Sequence, residues 1–268
     1  MISVICVYND LHLYNNFIKS SLEKQTVKYE LIALDNTNNK FKSAAEALNY
    51  GAGQASGKYF MFVHQDIKFN TESWLEGAEK LLDNLEKMGV AGVAGIGNKY
   101  LRIVSNIKHG VPPRNAGNIK INNIEQVQTL DECLFIVKKE VYKKYYFDEK
   151  ICNGWHLYAV DMCLTLQKQG YKNIVLPLEV YHLSVGQKIC KVKKIFIFRR
   201  LPKEYYDCLK NVIKKHKDSY GFIYTTCGLW DTTRSIFIQK TIITAKDVCK
   251  NIYSIFAKIY RYFVPRKN

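Results

Sequence analysis

The sequence lacks the signatures of several protein classes. Its eight cysteines are widely scattered and form no C-x-x-C pair, which argues against a zinc knuckle and a thioredoxin motif and favours free thiols in a reducing cytosol. Only three residues separate Gly53 from Gly57, and a Tyr follows Lys58, so GAGQASGKYF is not a phosphate-binding Walker loop. No G-x-G-x-x-G occurs around Gly92 either, which disfavours dinucleotide binding.

Long apolar stretches are also missing. No uninterrupted run approaches the roughly 20 apolar residues that a membrane-spanning helix needs. The first residues, MISVICVYND, have neither the basic segment nor the long apolar core and small-residue cleavage site of a secretory signal. We therefore expect a cytoplasmic protein that, if it meets a membrane, lies on the inner face.

The positive charge is concentrated at one end of the chain. Residues 1–186 contain 21 Lys/Arg and 19 Asp/Glu, whereas residues 187–268 contain 19 Lys/Arg and 5 Asp/Glu, a net charge of +14. A near-neutral body with a basic tail indicates a chemical domain attached to a segment that binds an anionic surface, rather than a nucleic-acid-binding protein. We expect a domain over 1–186 and a basic helical extension over 187–268.

Apolar strands alternate with helical patterns in the first 186 residues. Strands are predicted at Ile2–Tyr8, Tyr29–Leu34, Lys58–Val63, Val90–Ile96, Leu134–Val137 and Asn173–Tyr181. Helices are predicted after the first strand, at Trp74–Met88 and at Leu157–Gln169. This order predicts an α/β fold with a central, mostly parallel sheet flanked by helices.

Polar clusters follow three of these strands, where open α/β sheets bind ligands. They are Tyr8-Asn9-Asp10, Asp35-Asn36 and His64-Gln65-Asp66, and His182 closes the last strand. Asp66 is a candidate ligand for Mg²⁺ or Mn²⁺, which prefer oxygen donors, but an Asp in this place also forms turns and helix caps. A lone His at the end of a strand is more often a structural residue than a ligand, so the metal hypothesis requires Asp66 and His182 to meet in space.

Together these segments resemble a known family. The motifs SVICVYN, ELIALDN, KYFMFVHQD, DECLFIVKKEVY and VDMCLTLQKQGY, in this order and spacing, are similar to those of family-2 glycosyltransferases with the GT-A fold. HQD followed by WHLYAVDMCL more narrowly resembles the StrF-like branch of streptomycin biosynthesis. The resemblance covers about residues 1–186.

The resemblance implies roles for individual residues. Tyr8 and Asn9 match the contact to the nucleotide base, and Asp35 matches the acid that binds the base or ribose. Asp66 matches the last acid of the D-x-D motif for metal and diphosphate, and His182 the late histidine of the metal site. The implied partners are a nucleoside-diphosphate sugar, with a UDP-sugar expected first, and Mn²⁺ or Mg²⁺.

Two departures from the family pattern affect the chemistry. His64 replaces the first acid of D-x-D, where it can still bind metal or ribose. Tyr158 and Ala159 replace the Glu-Asp pair that supplies the family's catalytic base. Asp161 is the nearest carboxylate and His156 the nearest alternative base. The structural alternatives are that Asp161 caps its helix or forms a salt bridge within it, and that His156 only positions an acceptor.

The basic extension contains a second amphipathic pattern. From Ile236 to Val264, apolar residues recur at helical spacing beside Lys240, Lys246, Lys250, Lys258 and Arg261. Such a helix suits an anchor on anionic lipid, since each basic residue near the surface contributes about 1 kcal/mol. A helix that packs on the body with a solvated basic face is the alternative.

The function predicted from these features is metal-dependent, inverting transfer of a sugar to a hydroxyl of a glycan or lipid-linked acceptor. The missing acid at Ala159 motivates an alternative, a non-catalytic nucleotide-sugar- or glycan-binding scaffold of a polysaccharide assembly complex. A nucleotidyltransferase shares the sheet but needs a Gly-rich, Arg-containing loop, which is absent after Tyr8.

Overall fold

The computed structural model of the protein describes residues 1–97, 99, 101–183, 189–192, 196–199 and 201–242, with backbone alone for 189–192 and 196–199. Residues 236–242 are helical. The rest of the helix predicted over Ile236–Val264 lies outside the described residues.

The strands, in chain order, are β1 (Ile2–Tyr8), β2 (Tyr29–Asp35), β3 (Tyr59–Val63), β4 (Ile67–Phe69), β5 (Met88–Gly92), β6 (Ala94–Ile96), β7 (Val104–Ser105), β8 (Ile107–His109), β9 (Arg114–Asn115), β10 (Glu125–Val127), β11 (Thr129–Leu130), β12 (Leu134–Lys138), β13 (Lys172–Val175), β14 (Val180–His182), β15 (Ile189–Val192), β16 (Phe196–Arg199), β17 (Phe222–Thr225) and β18 (Gly228–Asp231). The helices are α1 (Leu11–Tyr14), a π-helical turn (Asn15–Lys19), α2 (Ser20–Leu22), α3 (Ala44–Gln54), α4 (Trp74–Asp83), α5 (Lys139–Lys144), α6 (Tyr158–Lys168) and α7 (Lys203–His216).

Seven strands form the central sheet, in the order β10-β13-β5-β12-β3-β1-β2. β2, β1, β3, β5 and β13 run in one direction, while β12 and β10 run antiparallel to their neighbours. The prediction of a mostly parallel sheet is therefore confirmed. The carboxyl ends of β1, β2 and β3 lie side by side, which brings the residues after these strands to one edge.

Both faces of the sheet are buried, as the continuous apolar runs predict. Because side chains alternate along a strand, Ile5, Phe60 and Phe62 enter one core with α3, α6 and α7. Val4 and Met61 enter the other, which contains the π-helical turn and α4.

Two predicted elements are shorter than expected. The strand predicted over Asn173–Tyr181 is interrupted by Pro177, which has no N–H for a strand ladder, so β13 joins the central sheet while β14 joins a small sheet with β4 and β8. The helix predicted to Met88 ends at Asp83, because Lys87 has a positive φ of 50° and Met88 already begins β5.

α7 and the β17–β18 hairpin of the basic extension pack on the body. Cys208, Leu209 and Val212 of α7 and Ile223 and Trp230 of the β17–β18 hairpin are buried in the core that contains α6. Within the described ranges, every helix is too short or too polar to cross a bilayer.

Candidate functional site

The ends of β1 and β2 place Tyr8 beside Asp35, which are register partners. The pKa of Tyr8 is raised, first by burial and then by the charge and hydrogen bond of Asp35. Asp35 is exposed and accepts hydrogen bonds from the backbone N–H (2.8 Å) and hydroxyl (2.7 Å) of Thr37, which lower its pKa. A phenol and an ionised carboxylate thus lie together at the sheet edge.

Gln65 connects the end of β1 to the loop after β3. Its Oε1 accepts the backbone N–H groups of Asn9 (2.9 Å) and Asp10 (3.0 Å), and its Nε2 donates to Asn9 Oδ1 at 2.8 Å. These three hydrogen bonds fix the position of Asn9. The sequence placed Gln65 in a polar cluster without indicating this role.

His64, Asp66 and His182 converge at the same edge, although His182 lies more than 100 residues away in sequence. Their candidate ligand atoms all lie within 4.8 Å of one another. His182 Nε2 is 3.3 Å from Asp66 Oδ1, and the rings of His64 and His182 are 5.9 Å apart. Pairing of β14 with β4 produces this approach, since His182 is the register partner of Ile67 and Leu183 N–H donates to Asp66 O at 3.1 Å.

Asp66 and His182 support each other's charge. Burial alone would raise the pKa of Asp66, but the hydrogen bond and charge of His182 hold it below its usual value. Burial likewise opposes protonation of His182, yet Asp66 raises its pKa. The pKa of His64 is lowered by burial and then by the charge of His182. A carboxylate and two imidazoles this close fit the donor set of a divalent metal ion.

A chain of contacts continues from His64 to the start of α6. His64 Nε2 lies 3.2 Å from the hydroxyl of Tyr158, which donates to the backbone oxygen of Glu132 at 3.5 Å. Glu132 is half-buried, and its Oε1 makes no hydrogen bond within the described residues. Burial and the charge of Asp131 raise its pKa well above the usual value.

The position of Glu132 was missed because β12 is antiparallel. Cys133 O accepts the backbone N–H of His64 at 2.9 Å, so the beginning of β12, rather than its end, lies at the site. An acidic pair directly before an apolar strand, Asp131-Glu132, was the available signal.

The structure does not bring Asp161 to this cluster. Its carboxylate, 5% exposed, accepts hydrogen bonds from Lys215 Nζ and from His216 Nε2, each at 2.7 Å. A buried carboxylate with both oxygens engaged cannot readily reach an acceptor hydroxyl. This placement makes Asp161 part of a buried ion cluster and argues against the prediction that it is the base.

His156 occupies the loop that leads into α6. Its side chain is half-buried. Burial lowers the pKa of His156, and the charge of Glu204 opposes this shift. The charge of His156 in turn contributes to the lowered pKa of His64. Trp155 is 37% exposed, rather than a core residue, and its backbone N–H donates to Glu204 Oε1 at 2.8 Å. Leu157 has a φ of 65°, a strained value for a non-glycine residue.

An open α/β sheet with polar and titratable side chains at the carboxyl ends of its strands is consistent with the class of GT-A nucleotide-diphospho-sugar transferases. Residues 3–194 match the model of the Glycosyltransferase like family, and the chain belongs to this family. The predicted family resemblance is thereby confirmed, whereas the StrF-like branch stays a prediction. No curated protein sequence gives a significant match.

Several solved structures share the fold. Staphylococcal TarS residues 1–349 in complex with UDP-GlcNAc, from S. aureus, has a TM-score of 0.51 and 16% identity, over 80% of this chain and 66% of that one. The mannosyltransferase PcManGT from Pyrobaculum calidifontis, in complex with GDP-Man and Mn²⁺, has a TM-score of 0.52 and 12% identity, over 82% and 64%. GalNAc-T7 with UDP, GalNAc and Mn²⁺ has a TM-score of 0.54 and 10% identity, over 80% and 47%. The chain thus spans less than two thirds of each of these structures, and the likeness establishes the GT-A fold.

Proposed function

We propose that this protein is a metal-dependent, inverting glycosyltransferase that moves a sugar from a nucleoside-diphosphate donor to a hydroxyl of a glycan or lipid-linked acceptor. The observation that carries the proposal is the convergence of His64, Asp66 and His182 beside Tyr8 and Asp35. The bound UDP-GlcNAc of TarS and GDP-Man of PcManGT support a nucleotide-sugar donor. A UDP-sugar is the donor that we expect first.

The donor would lie along the carboxyl edge of the sheet. Tyr8, Asn9 and Asp35 would contact the nucleoside, with Asn9 held by Gln65. His64 and Asp66 would lie on the diphosphate side. Fixing these groups before the donor binds reduces the entropy lost in the transition state.

Asp66 and His182 would hold the metal ion, Mn²⁺ or Mg²⁺. The Mn²⁺ in the PcManGT and GalNAc-T7 complexes supports the use of a divalent metal. When bound, the ion would neutralise negative charge on the departing diphosphate. Asp66 contributes by remaining ionised despite its burial, because His182 lowers its pKa.

Inversion by one displacement requires a base for the acceptor hydroxyl, and we assign this role to His156. A base must be unprotonated at working pH, and the lowered pKa of His156 keeps the imidazole neutral. Burial and the charge of Asp131 raise the pKa of Glu132 well above its usual value, which favours the protonated form and makes Glu132 the weaker candidate. We do not propose Asp161 as the base, since its carboxylate accepts hydrogen bonds from Lys215 and His216.

Trp155 would form the acceptor side of the site. Its indole is partly exposed directly before His156, and aromatic rings pack well against the apolar face of a sugar. A glycan or glycolipid acceptor fits this surface.

The non-catalytic scaffold remains a second candidate. The observation that favours it is that Tyr158 and Ala159 begin α6 without a carboxylate of their own. A scaffold would bind the donor and metal without releasing nucleoside diphosphate.

The proposal also places the protein on the inner face of a membrane through residues 187–268. At the described end of this segment, Phe237 is 79% and Ile238 is 50% exposed, near Arg234 and Lys240. Apolar side chains among basic ones suit an anionic lipid surface.

The test is to incubate the purified full-length protein with UDP- and GDP-sugars, with and without Mn²⁺. Metal-dependent thermal stabilisation and release of nucleoside diphosphate should occur and should be lost in Asp66→Asn. Asp218→Asn, an exposed substitution on the loop after α7, is the matched control. Binding without turnover for any acceptor would favour the scaffold, and no binding at all would contradict both functions.

A further inference from the structure

A groove of about 530 Å³ lies beside the small sheet that carries His182. The residues that line it are Asn16, Phe17, Lys68, Phe69, Asn70 and Tyr181. None of these six belongs to the donor or metal contacts proposed above. The groove is therefore a surface to which the transfer chemistry gives no role.

Strand alternation separates this groove from the metal cluster. Tyr181 and His182 are consecutive residues of β14, and successive side chains of a strand point to opposite faces of the sheet. Tyr181 is the register partner of Lys68 on β4 and of Lys108 on β8, so these three side chains share one face of the small sheet. That face is opposite the one on which His182 meets the metal cluster.

Two aromatic rings form one wall of the groove. The ring centroids of Phe17 and Tyr181 are 6.2 Å apart, and their planes are inclined by only 18°. Phe17 comes from the π-helical turn, where Ser20 N–H donates to Asn15 O, five residues back, and such turns are frequent at functional sites. Both rings are half-buried, and the Tyr181 hydroxyl donates to Gly110 O at 3.3 Å. Partly exposed rings held in place offer apolar area to the C–H face of a sugar ring.

Two amide groups flank the rings. Asn16 Nδ2 donates to His12 O at 2.8 Å, and Asn70 Nδ2 donates to Glu179 Oε1 at 2.9 Å. Among the described residues no donor bonds to the amide oxygen of either side chain. Each fixed amide therefore presents an acceptor for the hydroxyl groups of a sugar.

Lys68 supplies a positive charge between these groups. It is exposed, and within the described part of the chain no carboxylate pairs with its Nζ. The nearby carboxylate of Glu179 is balanced by other lysines, because the hydrogen bond of Lys120, at 2.8 Å, and the charge of Lys108 lower its pKa. The charge of Lys68 thus remains available to an acidic ligand.

We infer that this groove binds an acidic segment of the glycan acceptor, with a sugar ring packed against Phe17 and Tyr181 and its carboxylate or phosphate group beside Lys68. The inference rests on the proposed function in taking the glycan to be the acceptor. The binding itself requires neither donor nor metal, so it can be measured separately.

An anionic bilayer is the other partner that a lysine among aromatic rings would suit. Segments that enter a bilayer lay an apolar face into the boundary between headgroups and acyl chains. Here the surface is concave, and the rings of Phe17 and Tyr181 are half-buried and packed against each other. This shape favours a single glycan chain over a flat lipid surface.

The experiment measures sugar binding to the full-length protein, without donor or metal, by saturation-transfer nuclear magnetic resonance titration. A hyaluronan hexasaccharide, which carries glucuronate carboxylates, is compared with neutral chitohexaose, and mannose 6-phosphate is compared with mannose. The variants are Phe17→Leu and Lys68→Gln. Phe237→Leu and Lys24→Gln, at exposed side chains outside the groove, are the matched controls.

The wild type should bind at least one acidic probe more tightly than its neutral counterpart. Phe17→Leu should weaken this binding by about threefold or more, the scale of one aromatic contact. Lys68→Gln should weaken it by about threefold, the scale of an exposed ion pair, and should reduce the preference for the acidic probe. Both controls should match the wild type. Thermal melting checks each protein, and the exposed substitution Lys68→Gln remains informative if Phe17→Leu does not fold.

Acidic probes that bind no better than neutral ones, or that bind the wild type and both groove variants equally, would overturn the inference. Sedimentation with anionic vesicles supplies a second arm. Release of the folded variants from vesicles, with no change in sugar binding, would identify the groove as a lipid contact instead. Stabilisation by nucleotide sugars should persist in both variants. Its absence in the wild type would contradict the proposed function while leaving the binding of acidic sugars unchanged, so the two failures are distinguishable.

Discussion

Lys215 Nζ lies 2.7 Å from a carboxylate oxygen of Asp161, and this ion pair joins α7 to α6. The second oxygen of Asp161 accepts from His216 Nε2, and Lys215 also reaches Asp148 at 3.1 Å. Tyr158, the first residue of α6, contacts His64. The Lys215–Asp161 ion pair therefore connects the basic extension to the helix that supports the site. The described part of residues 187–268 thus supports the helix that leads from the candidate site.

Asp161→Asn is expected to destabilise the protein without changing the chemistry. Removing one member of a buried ion pair leaves its partner uncompensated, which typically lowers the free energy of unfolding by about 3 kcal/mol or more. Urea denaturation should show this loss, while turnover per folded molecule should stay near that of the wild type. A 100-fold loss of turnover in a fully folded variant would restore Asp161 as the base.

Stability should decrease on acidification because of His216. Its Nε2 donates to Asp161, whereas the buried Nδ1 makes no hydrogen bond within the described residues, and burial lowers the pKa of the ring. The unfolded chain then binds the proton more readily than the folded protein. His216 therefore stabilises the folded state above its unfolded pKa of about 6.5, and this stabilisation is lost as the pH falls through the lowered pKa of the folded state.

The substitution His216→Gln tests this pH dependence, since it removes the titrating ring and keeps a donor for Asp161. Between pH 7.5 and 5.5 the free energy of unfolding should fall less in His216→Gln than in the wild type. His12→Gln, at an exposed histidine, should retain the wild-type slope. Equal slopes in all three proteins would exclude His216 as the source.

His156→Ala should lower turnover by roughly 100-fold or more while donor affinity stays nearly constant, because a general base acts in the transition state. Single-turnover kinetics with a saturating UDP-sugar would measure the effect. Glu132→Gln is the matched comparison, since burial raises the pKa of this carboxyl and favours its protonated form, which an amide resembles. The reverse result, a large loss only in Glu132→Gln, would transfer the base role to Glu132.

The nucleoside end of the site can be tested through Asp35. Its exposed carboxylate stands beside Tyr8 at the carboxyl edge, with one oxygen already bonded to Thr37. Asp35→Asn should weaken binding of UDP by about tenfold, the scale of one charged hydrogen bond, with little change in Mn²⁺ affinity. Calorimetry with UDP and with Mn²⁺ separately distinguishes this loss from damage to the metal cluster.

Much of the fold was predictable because each strand of the parallel part is a continuous apolar run, as in Ile2–Tyr8. The ends of these runs also marked Asp66 and His182, and β4–β14 pairing brings them together. That pairing could not be predicted, since the interruption at Pro177 moves the last segment into a second sheet. Local pattern identifies a polar strand end, whereas only long-range register decides which ends meet.

The antiparallel strand β12 and the basic extension explain why the sequence did not indicate the position of Glu132 or the pairing of Asp161. The rule that ligands gather at carboxyl ends points away from Glu132, because β12 runs in the opposite direction. For Asp161, the sequence offered no indication that Lys215 and His216, more than 50 residues later, would occupy it. Only the long-range packing of α7 on α6 shows that the carboxylate of Asp161 is already paired.

Membrane attachment should depend on the last residues of the chain. Residues 243–268 contain six Lys/Arg and one Asp, interleaved with apolar residues at helical spacing. Truncation after residue 242 preserves Gln239, whose side chain bonds to the backbone of Asp231 and supports the β17–β18 hairpin.

Full-length protein should sediment with anionic but not neutral vesicles and should be released as salt shortens the screening length, about 10 Å at 0.1 M. The truncated protein should lose vesicle binding and retain UDP-sugar binding, because every proposed donor contact lies within the first 66 residues. Equal sedimentation of both proteins would show that residues 243–268 are not the anchor, and loss of folding on truncation would show that they pack on the body.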